Sequence, residues 1–580
     1  MKNKEVAEIF RKVAALLEIK GDNPYRIRAY QRAAQNIEAL TIELEDLAAQ
    51  GKLEKIPGIG KDLAQKIKEI LETGTLQKYE ELKREIPPEL LKFLEIPGFG
   101  PKKAKMVYEK LGIKSLEELE KACLEHRLSR LPGFGPKTEA NILKGLKLLK
   151  QKRGRLPLGL VLPWAEELVS LLRQESPIDR IDIAGSIRRR KETVKDIDIL
   201  VTSKKSHQVM EAFVSLPIVE EVLLQGETKS SVRLRYQGLQ VDLRVVDPEC
   251  YGAALAYFTG SKAHNIRIRE LGVQRGLKIN EYGIFRGQER IGGKEEEEVF
   301  KAVGLPWIPP ELREDRGEIE AAQAGKLPQL VEYDEILGDA HVHSKWSDGS
   351  SSLEEIAAWA RRQGLKWVGI CDHSQGLKVA GGLPIEKIAE KRQAIEDFNR
   401  RSHDVKLLCG TEVDILADGS LDYPDDVLQE FDLVIAAIHS GFKQSEENMT
   451  QRLVKAIKNP YVHCIAHPTG RLLGERDPYS VNIEALIEAA SEAKTALEIN
   501  AYYKRLDLND IHTRAAKEAG VKLLIGTDAH IADQMSYIHL GVAVARRGWC
   551  TKSDILNTLD YDSIREYLKN ITLWKLKKSL

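Results

Sequence analysis

Asp196 and Asp198 stand two apart at the start of a run of strand character, residues 197–201, and Asp242 lies in a second such run, 241–246. Residues two apart in a strand share one face. Three carboxylates on adjacent strands repel one another unless cations separate them. Two Mg2+ or Mn2+ ions held in this way serve in-line phosphoryl displacement. Just upstream, Gly185-Ser186-Ile187-Arg188-Arg189-Arg190 follows the strand-like residues 181–184. A Gly-Ser turn there offers N–H groups and a hydroxyl to a triphosphate, and Arg189 with its neighbours neutralises developing charge. Asp-x-Asp alone would be a solvated surface pair. The arginine turn before it and the third strand aspartate point instead to nucleotidyl transfer.

A second constellation suits hydrolysis of the same bond. Ten of the 13 histidines follow residue 337. Six of them, His341, His343, His373, His439, His467 and His530, end apolar strand-like runs, with Asp348, Glu412 and Asp528 among them. His-x-His and Asp-x-His at strand ends put both side chains on one face. Imidazoles mixed with carboxylates suit Zn2+, Mn2+ or Fe2+ better than Mg2+. Nine such groups exceed what one ion needs and imply two or three. Clustered ions lower the pKa of a water and clamp a phosphate. One histidine alone would be a hydrogen-bonded core residue, as expected for His403, His463, His512 and His539. Arg471, four residues after His467, is either a phosphate anchor or a surface salt bridge.

The elements that must position these groups differ along the chain. At 580 residues several domains are expected. Residues 1–155 carry 32 Lys and Arg against 23 Asp and Glu, although the whole chain is neutral. A basic front suits a polyanion and an acidic remainder suits cations. Residues 1–155 read as helices, the first with Val6, Phe10, Val13, Leu16 and Leu17 on one face. A Pro-Gly-x-Gly turn recurs three times, at Gly58 and Gly60, Gly98 and Gly100, and Gly133 and Gly135, followed by Lys61, Lys102 and Lys137. Each turn precedes a helical pattern, such as 62–71 or 102–111. The repeats look like helix-hairpin-helix motifs, in which bare backbone and a helix N-terminus meet a DNA phosphate. Such binding is non-specific in sequence and sensitive to salt. Strand-like runs at 181–184, 197–201, 232–236 and 241–246 mark an α+β catalytic core. Residues 317–336 read as a polar linker. Beyond 337, strand-like runs at 367–371, 405–410, 432–438, 462–466, 496–499 and 523–526 alternate with helical stretches. That rhythm predicts a parallel sheet or β/α barrel with its chemistry at the carboxyl ends of strands. The six cysteines form no Cys-x-x-Cys pair, which fits a reducing cytoplasm. No apolar run reaches membrane-spanning length, so no membrane partner is expected.

The segments 184–201, 241–246, Tyr257-Phe258-Thr259-Gly260-Ser261, 279–283 and 304–314 resemble family X DNA polymerases, the DNA polymerase beta superfamily. The resemblance implies an N-terminal helical lyase-like domain (1–90), helix-hairpin-helix fingers (91–155), a nucleotidyltransferase palm (156–262) and a thumb (263–316). It implies that Asp196 and Asp198 bind both metals and that Asp242 deprotonates the primer 3′-hydroxyl. Gly185, Ser186 and Arg189 would hold the triphosphate. Tyr257, Phe258 and Gly260 would line the sugar pocket, and Asn265 and Arg269 would touch the nascent pair. Lys66 falls where some relatives carry a Schiff-base lysine for 5′-deoxyribose phosphate removal. Here Asp62, one turn earlier, would raise its pKa and favour phosphate binding or solvation instead. Residues 337–580 resemble the PHP (polymerase and histidinol phosphatase) domain, a seven-stranded β/α barrel with a trinuclear site. Carried over, His341, His343, Glu412 and Asp528 hold one ion, Glu412, His439 and His467 a second, and Asp348, His373 and His530 a third. Together the two resemblances imply a monomeric repair enzyme of base excision repair. It would act on gapped or primer-template DNA with dNTPs, and its barrel would remove 3′ nucleotides or blocks and nick abasic sites. Two rival functions compete: a phosphatase with a DNA-binding arm and an inactive polymerase module, or a DNA scaffold with relict sites. Both sit poorly with complete acid and ligand sets.

Overall fold

The computed structural model describes residues 3–38, 44–49, 51–56, 58–96, 99–135, 138–143, 145–146 and 155–579. The chain separates into two compact units, Met1–Arg153 and Gly154–Leu580.

The first unit is helical among its described residues. Val6, Phe10, Val13, Leu16 and Leu17 of the helix Asn3–Lys20 are fully buried, as their spacing predicts. The first hairpin turn runs through Gly58, whose φ of +75° favours glycine. Gly60 caps the helix Lys61–Thr73, and Gly100 caps Pro101–Leu111. A Cβ at Gly60, Gly100 or Gly135 would meet no heavy atom within 4 Å, so packing within the unit does not demand these glycines. Open backbone before a helix start leaves room for an outside group. Gly98 and Lys137 lie outside the described residues.

The second unit begins with the short strand β1 (Leu156–Pro157). β2 (Arg180–Ile183) follows a long helix, Leu158–Glu175. β3 (Thr193–Val194) pairs with β1. β4 (Asp196–Thr202), β5 (Val219–Gln225), β6 (Lys229–Leu234) and β7 (Gln240–Val245) complete a five-stranded sheet ordered β2-β4-β7-β6-β5. Only β4 and β7 run parallel; the other pairs are antiparallel. Helices Tyr251–Thr259 and Lys262–Gln274 lead to a small antiparallel sheet of β8 (Lys278–Asn280), β9 (Gly283–Arg286) and β10 (Glu289–Gly292).

Residues 317–336 do more than connect. They contain the helix Glu318–Gln323, and Ile319, Leu330 and Val331 are buried, with the Val331 N–H donating to the Cys550 carbonyl at 3.0 Å. The polar composition comes from the exposed Glu320 and Gln323 of that short helix and from Lys326, Gln329, Glu332 and Asp334 after it.

The last region is a seven-stranded parallel sheet in sequence order. It comprises β11 (Gly338–Val342), β12 (Trp367–His373), β13 (Lys406–Asp414), β14 (Leu433–Ala437), β15 (Cys464–Ile465), β16 (Ala496–Asn500) and β17 (Leu523–Gly526). A parallel bridge between Val342 and Ala529 brings the first strand to the last. Burial on both faces explains the near-continuous apolar runs.

Candidate active sites

In the five-stranded sheet Asp198 stands opposite Asp242 across the parallel pair β4 and β7, with Asp196 two residues before on the same strand. Burial and the carboxylates of Asp196 and Asp242 push the Asp198 carboxyl up to about 6. Burial also works against ionised Asp242. Hydrogen bonds from Gln240 (3.0 Å) and Ser231 and the Lys229 ammonium at 3.4 Å nevertheless hold its carboxyl below the usual range. Gly185 opens a single helical turn, Gly185–Arg188, after β2. Its φ is +63°, and a Cβ there would lie 2.3 Å from Asp198 Oδ2, so only glycine lets the turn approach the carboxylates. Ser186 follows in that turn, half-buried. An all-oxygen acid trio fits Mg2+ or Mn2+.

Arg188 is tied to buried Glu296 at 2.6 Å and to Thr259 at 2.7 Å. Arg189 reaches Glu314 at 3.1 Å and the Thr259 carbonyl. Tyr257, Asn265 and Arg269 line one cleft together with His264 and Arg313. Phe258 packs on Arg244, 4.4 Å from the guanidinium carbon to the ring centre, outside that lining. The Asn265 amide donates to the Tyr257 carbonyl at 2.7 Å. In the first unit Lys66 is paired with Asp62, the contact expected of its sequence neighbour, and lies 5.9 Å from the Tyr30 ring centre.

The barrel gathers its nine groups at the carboxyl ends of its strands. His341 and His343 end β11, His373 ends β12 and Glu412 lies near the end of β13. His439, His467 and Asp528 each come two residues after β14, β15 and β17. Three sets bring their ligand atoms within 4.8 Å: His343, Asp348, His373 and His530; His341, His343 and Asp528; and His373, Glu412 and His439. His467 Nε2 is 2.9 Å from Glu412 Oε1. His343 and His373 thus each belong to two sets, which the spacing of the sequence could not show. His341 Nε2 faces His343 Nε2 at 3.1 Å. His373 Nδ1 and Glu412 Oε2 are 2.9 Å apart, yet both are buried without a hydrogen-bond partner, as are His343 Nδ1 and His467 Nδ1. His373 and Glu412 belong to one of the three sets, where a shared cation would satisfy both of their unpaired atoms; His467 meets Glu412 through Nε2, and its Nδ1 points away from that contact. Burial lowers the pKa of His343 to about 3 and of His467 to about 4, which leaves both imidazoles neutral, whereas neighbouring carboxylates raise His439 to about 10 and His530 to about 9 despite burial, protons that a bound cation would displace. This donor set fits two or three ions of the Zn2+, Mn2+ or Fe2+ kind.

Several supporting residues escaped the sequence. Glu498, fully buried on β16, accepts from His341 Nδ1 at 2.7 Å and from the His467 N–H at 2.6 Å. Asp414 orients His439 at 2.8 Å. Asn500 donates to Asp528 Oδ2 at 3.2 Å. Such partners fix ring orientation and tautomer. A charged residue inside the buried run Leu497-Glu498-Ile499 was the available signal. Arg471 is engaged with Glu192 at 2.7 Å and with the carbonyls of Arg505 and Leu506. The arginine that reaches the cluster is Arg505. Its Nε lies 3.3 Å from Asp528 Oδ2, and its Nη1 is buried without a partner.

A pair of strands bearing an aspartate trio, followed by a thumb and a histidine-rich barrel, defines a family X DNA polymerase joined to a PHP metallohydrolase domain. Family models match accordingly: a helix-hairpin-helix domain over residues 1–76, a SAM-like helix-hairpin-helix tandem over 90–148, a DNA polymerase beta thumb over 254–314 and a PHP domain over 339–510. The chain is similar to the DNA polymerase/3′-5′ exonuclease PolX of Bacillus subtilis, 39% identical over 572 residues, 98% of this chain and 100% of the relative. It is also similar to DNA polymerase lambda of Arabidopsis thaliana, 29% identical over 346 residues, 54% of this chain and 62% of that one. A probable phosphatase of Thermoanaerobacter sp. (strain X514) is 32% identical over 249 residues, 40% of this chain and 95% of that protein. The chain belongs to the PolX family.

Proposed function

We propose that the protein fills short gaps in DNA during base excision repair by template-directed dNTP addition and processes 3′ ends hydrolytically in its barrel, as a 3′-5′ exonuclease and at abasic sites. The observation that carries this is the coexistence of two complete sites, the trio Asp196, Asp198 and Asp242 on β4 and β7 and the nine-ligand cluster at the barrel mouth.

In the palm, Asp196, Asp198 and Asp242 hold two Mg2+ or Mn2+ ions, which supply charge stabilisation for in-line displacement. Asp242 takes the primer 3′-hydroxyl proton. Gly185, Ser186 and Arg189 bind the triphosphate. Tyr257, Phe258 and Gly260 shape the sugar pocket, and Asn265 and Arg269 meet the new base pair. In the barrel, His341, His343, Asp348, His373, Glu412, His439, His467, Asp528 and His530 hold two or three Zn2+, Mn2+ or Fe2+ ions, which supply Lewis acidity to the scissile phosphate. Arg505 neutralises the charge that develops on that phosphate. The hairpin glycines and Lys61, Lys102 and Lys137 hold the DNA backbone. Residues 1–90 and 91–155 are the DNA-holding segments, 156–262 the palm, 263–316 the thumb and 337–580 the barrel. Lys66, paired with Asp62, serves as a phosphate-binding or solvated residue rather than a Schiff-base lysine.

The protein acts as a monomer in the cytoplasm; its six cysteines are all buried and free, which supports the reducing compartment. No described helix is long and apolar enough to cross a membrane.

Two variants test the assignment on a gapped, end-labelled duplex. Asp198→Ala abolishes primer extension and leaves 3′ degradation; His341→Ala does the reverse. Normal extension by Asp198→Ala overturns the palm assignment. Unchanged degradation and metal content in His341→Ala overturn the barrel assignment.

A further inference from the structure

The turn that carries Arg189 is held by the barrel at two points. The helix Ile538–Arg547, whose residues are mostly buried against the rest of the unit, ends on Arg547. Arg547 Nη1 donates to the main-chain carbonyl of Arg189 at 2.6 Å and lies 3.1 Å from Glu314 Oε1. Its Nη2 donates to Asp510 Oδ2 at 2.6 Å, which fixes the guanidinium plane. At the far end of the same turn, Arg471 holds Glu192 at 2.7 Å. Between these anchors Arg190 has a φ of +54°, a conformation that a side-chain-bearing residue keeps only where its surroundings hold it.

Glu314 is the hub of this contact. The oxygen that meets Arg547 is 3.1 Å from Arg189 Nε and 3.9 Å from Lys191 Nζ. Three cations share one mostly buried carboxylate, and Arg547, Arg189 and Lys191 together hold its carboxyl below the usual range despite burial. Arg189 therefore has two claimants, Glu314 and the triphosphate assigned to it above. Whatever else engages Glu314 loosens its hold on Arg189. Arg547 does so, and it also pins the carbonyl of Arg189 itself.

We propose that Arg547, a residue of the hydrolase barrel, is a positioning residue of the polymerase reaction: it fixes the Arg189 turn and engages Glu314, so that Arg189 stays available to the incoming triphosphate. The proposal rests on the palm being an active dNTP site. It predicts that the barrel is part of the nucleotide site irrespective of its own hydrolytic chemistry.

Full-length Arg547→Ala, Arg547→Lys and the double variant Arg547→Ala with Glu314→Gln are compared with wild type in single-nucleotide gap filling. Arg547→Ala raises KM for dNTP about tenfold, the scale of one lost charge-assisted hydrogen bond, and leaves kcat within about threefold. Arg547→Lys recovers part of this, because an ammonium can serve only some of the acceptors. The double variant lowers KM again, because the competitor for Arg189 has lost its charge. Removal of a buried partner of Asp510 and Glu314 lowers the Tm of Arg547→Ala, so the assays are run well below that Tm, where the barrel's 3′ exonuclease rate stays near wild type. An unchanged KM in Arg547→Ala overturns the proposal. So does a KM rise that Glu314→Gln does not relieve and that comes with an equal fall in exonuclease rate, the pattern of general unfolding. Failure of wild type to incorporate any dNTP overturns the proposed function itself and is distinguished from these results by that control.

Discussion

Glu498 offers a severe test of the barrel site, because the residue touches no substrate and yet should govern metal affinity. Its Oε1 accepts from His341 Nδ1 at 2.7 Å, and its Oε2 accepts from the His467 N–H at 2.6 Å and from the Asn500 amide at 3.2 Å. Each oxygen therefore faces a donor. The first contact keeps the His341 proton on Nδ1 and leaves the Nε2 lone pair pointing into the cluster, 3.1 Å from His343 Nε2 and 3.5 Å from Glu412 Oε2. Glu498→Gln preserves volume but replaces one oxygen by an amide NH2, a donor. Turned towards His341, it forces the imidazole proton onto Nε2, where it blocks the lone pair. Turned towards His467, it sets donor against donor in a fully buried position. A buried donor left unsatisfied costs about 1–3 kcal/mol, equivalent to roughly 5- to 150-fold in an equilibrium constant. Partners of metal-binding histidines typically change metal affinity by about 10- to 100-fold. The Mn2+ concentration for half-maximal 3′ degradation should therefore rise about 10- to 100-fold in Glu498→Gln. Primer extension in the same preparation should stay within about twofold of wild type, since the palm shares none of these contacts. The assay is a Mn2+ titration of both activities on one labelled gapped duplex, after chelation and desalting. A wild-type Mn2+ curve for degradation would refute the role of Glu498. Equal loss of both activities would show a folding defect and refute it too.

The palm site predicts a pH dependence of its ion. Asp198 is raised to about 6, so its protonated form accumulates as pH falls below that value and protons compete with Mg2+. The Mg2+ needed for half-maximal extension should be flat above pH 6 and rise about tenfold per pH unit below it; Mg2+ titrations across that range check this, and a flat requirement throughout refutes it. Arg505→Ala should lower the single-turnover rate of 3′ degradation about 10²- to 10³-fold, as loss of one charge-stabilising donor does elsewhere, with metal content unchanged. Arg471→Ala should cost clearly less in that step, because its guanidinium is held by Glu192 and by backbone carbonyls.

The barrel was legible because buried parallel strands must be apolar on both faces, so a polar residue at a strand end stands out. His373, Glu412 and His467 could each be seen in this way. Glu498 was overlooked because it lies within its strand, where a single acid reads as noise until its two donors are visible. β5 was missed because it is an edge strand with nearly every side chain exposed, so no alternation marks it. β11 carries Asp339 and His341 among its five residues, and its full burial is clear only once neighbours pair with it. Ligand sharing was likewise hidden: His343 meets both Asp528 and the group around Asp348, a matter of three-dimensional convergence that spacing along the chain does not encode. Arg471 reads as either a phosphate anchor or a surface salt bridge, because it follows His467 closely; the structure gives it an ion pair with Glu192 in a mostly buried position. Arg505 could not be found in that way, since it lies in the connection after β16 and meets Asp528, 23 residues further along the chain, only in three dimensions.

A chain that both makes and breaks phosphodiesters must keep the two reactions from cancelling. The donor chemistry offers a physical basis for this. The palm presents oxygen alone, which suits a small hard ion that retains its waters and loses little to competition from nitrogen-seeking metals. The barrel presents six imidazoles and three carboxylates in a buried cluster, which selects ions with high nitrogen affinity. Mn2+ suits both sites, but Mg2+ suits the palm alone and Zn2+ or Fe2+ the barrel alone, so the ratio of synthesis to degradation should follow which of these ions is supplied. The Arg547 contact adds a constraint in one direction only. It ties the geometry of the palm to the barrel's framework, through a residue that is not among the barrel's metal ligands. Loss of barrel metal should therefore silence hydrolysis and spare synthesis, whereas damage to the helix Ile538–Arg547 should impair synthesis even with the barrel ions in place.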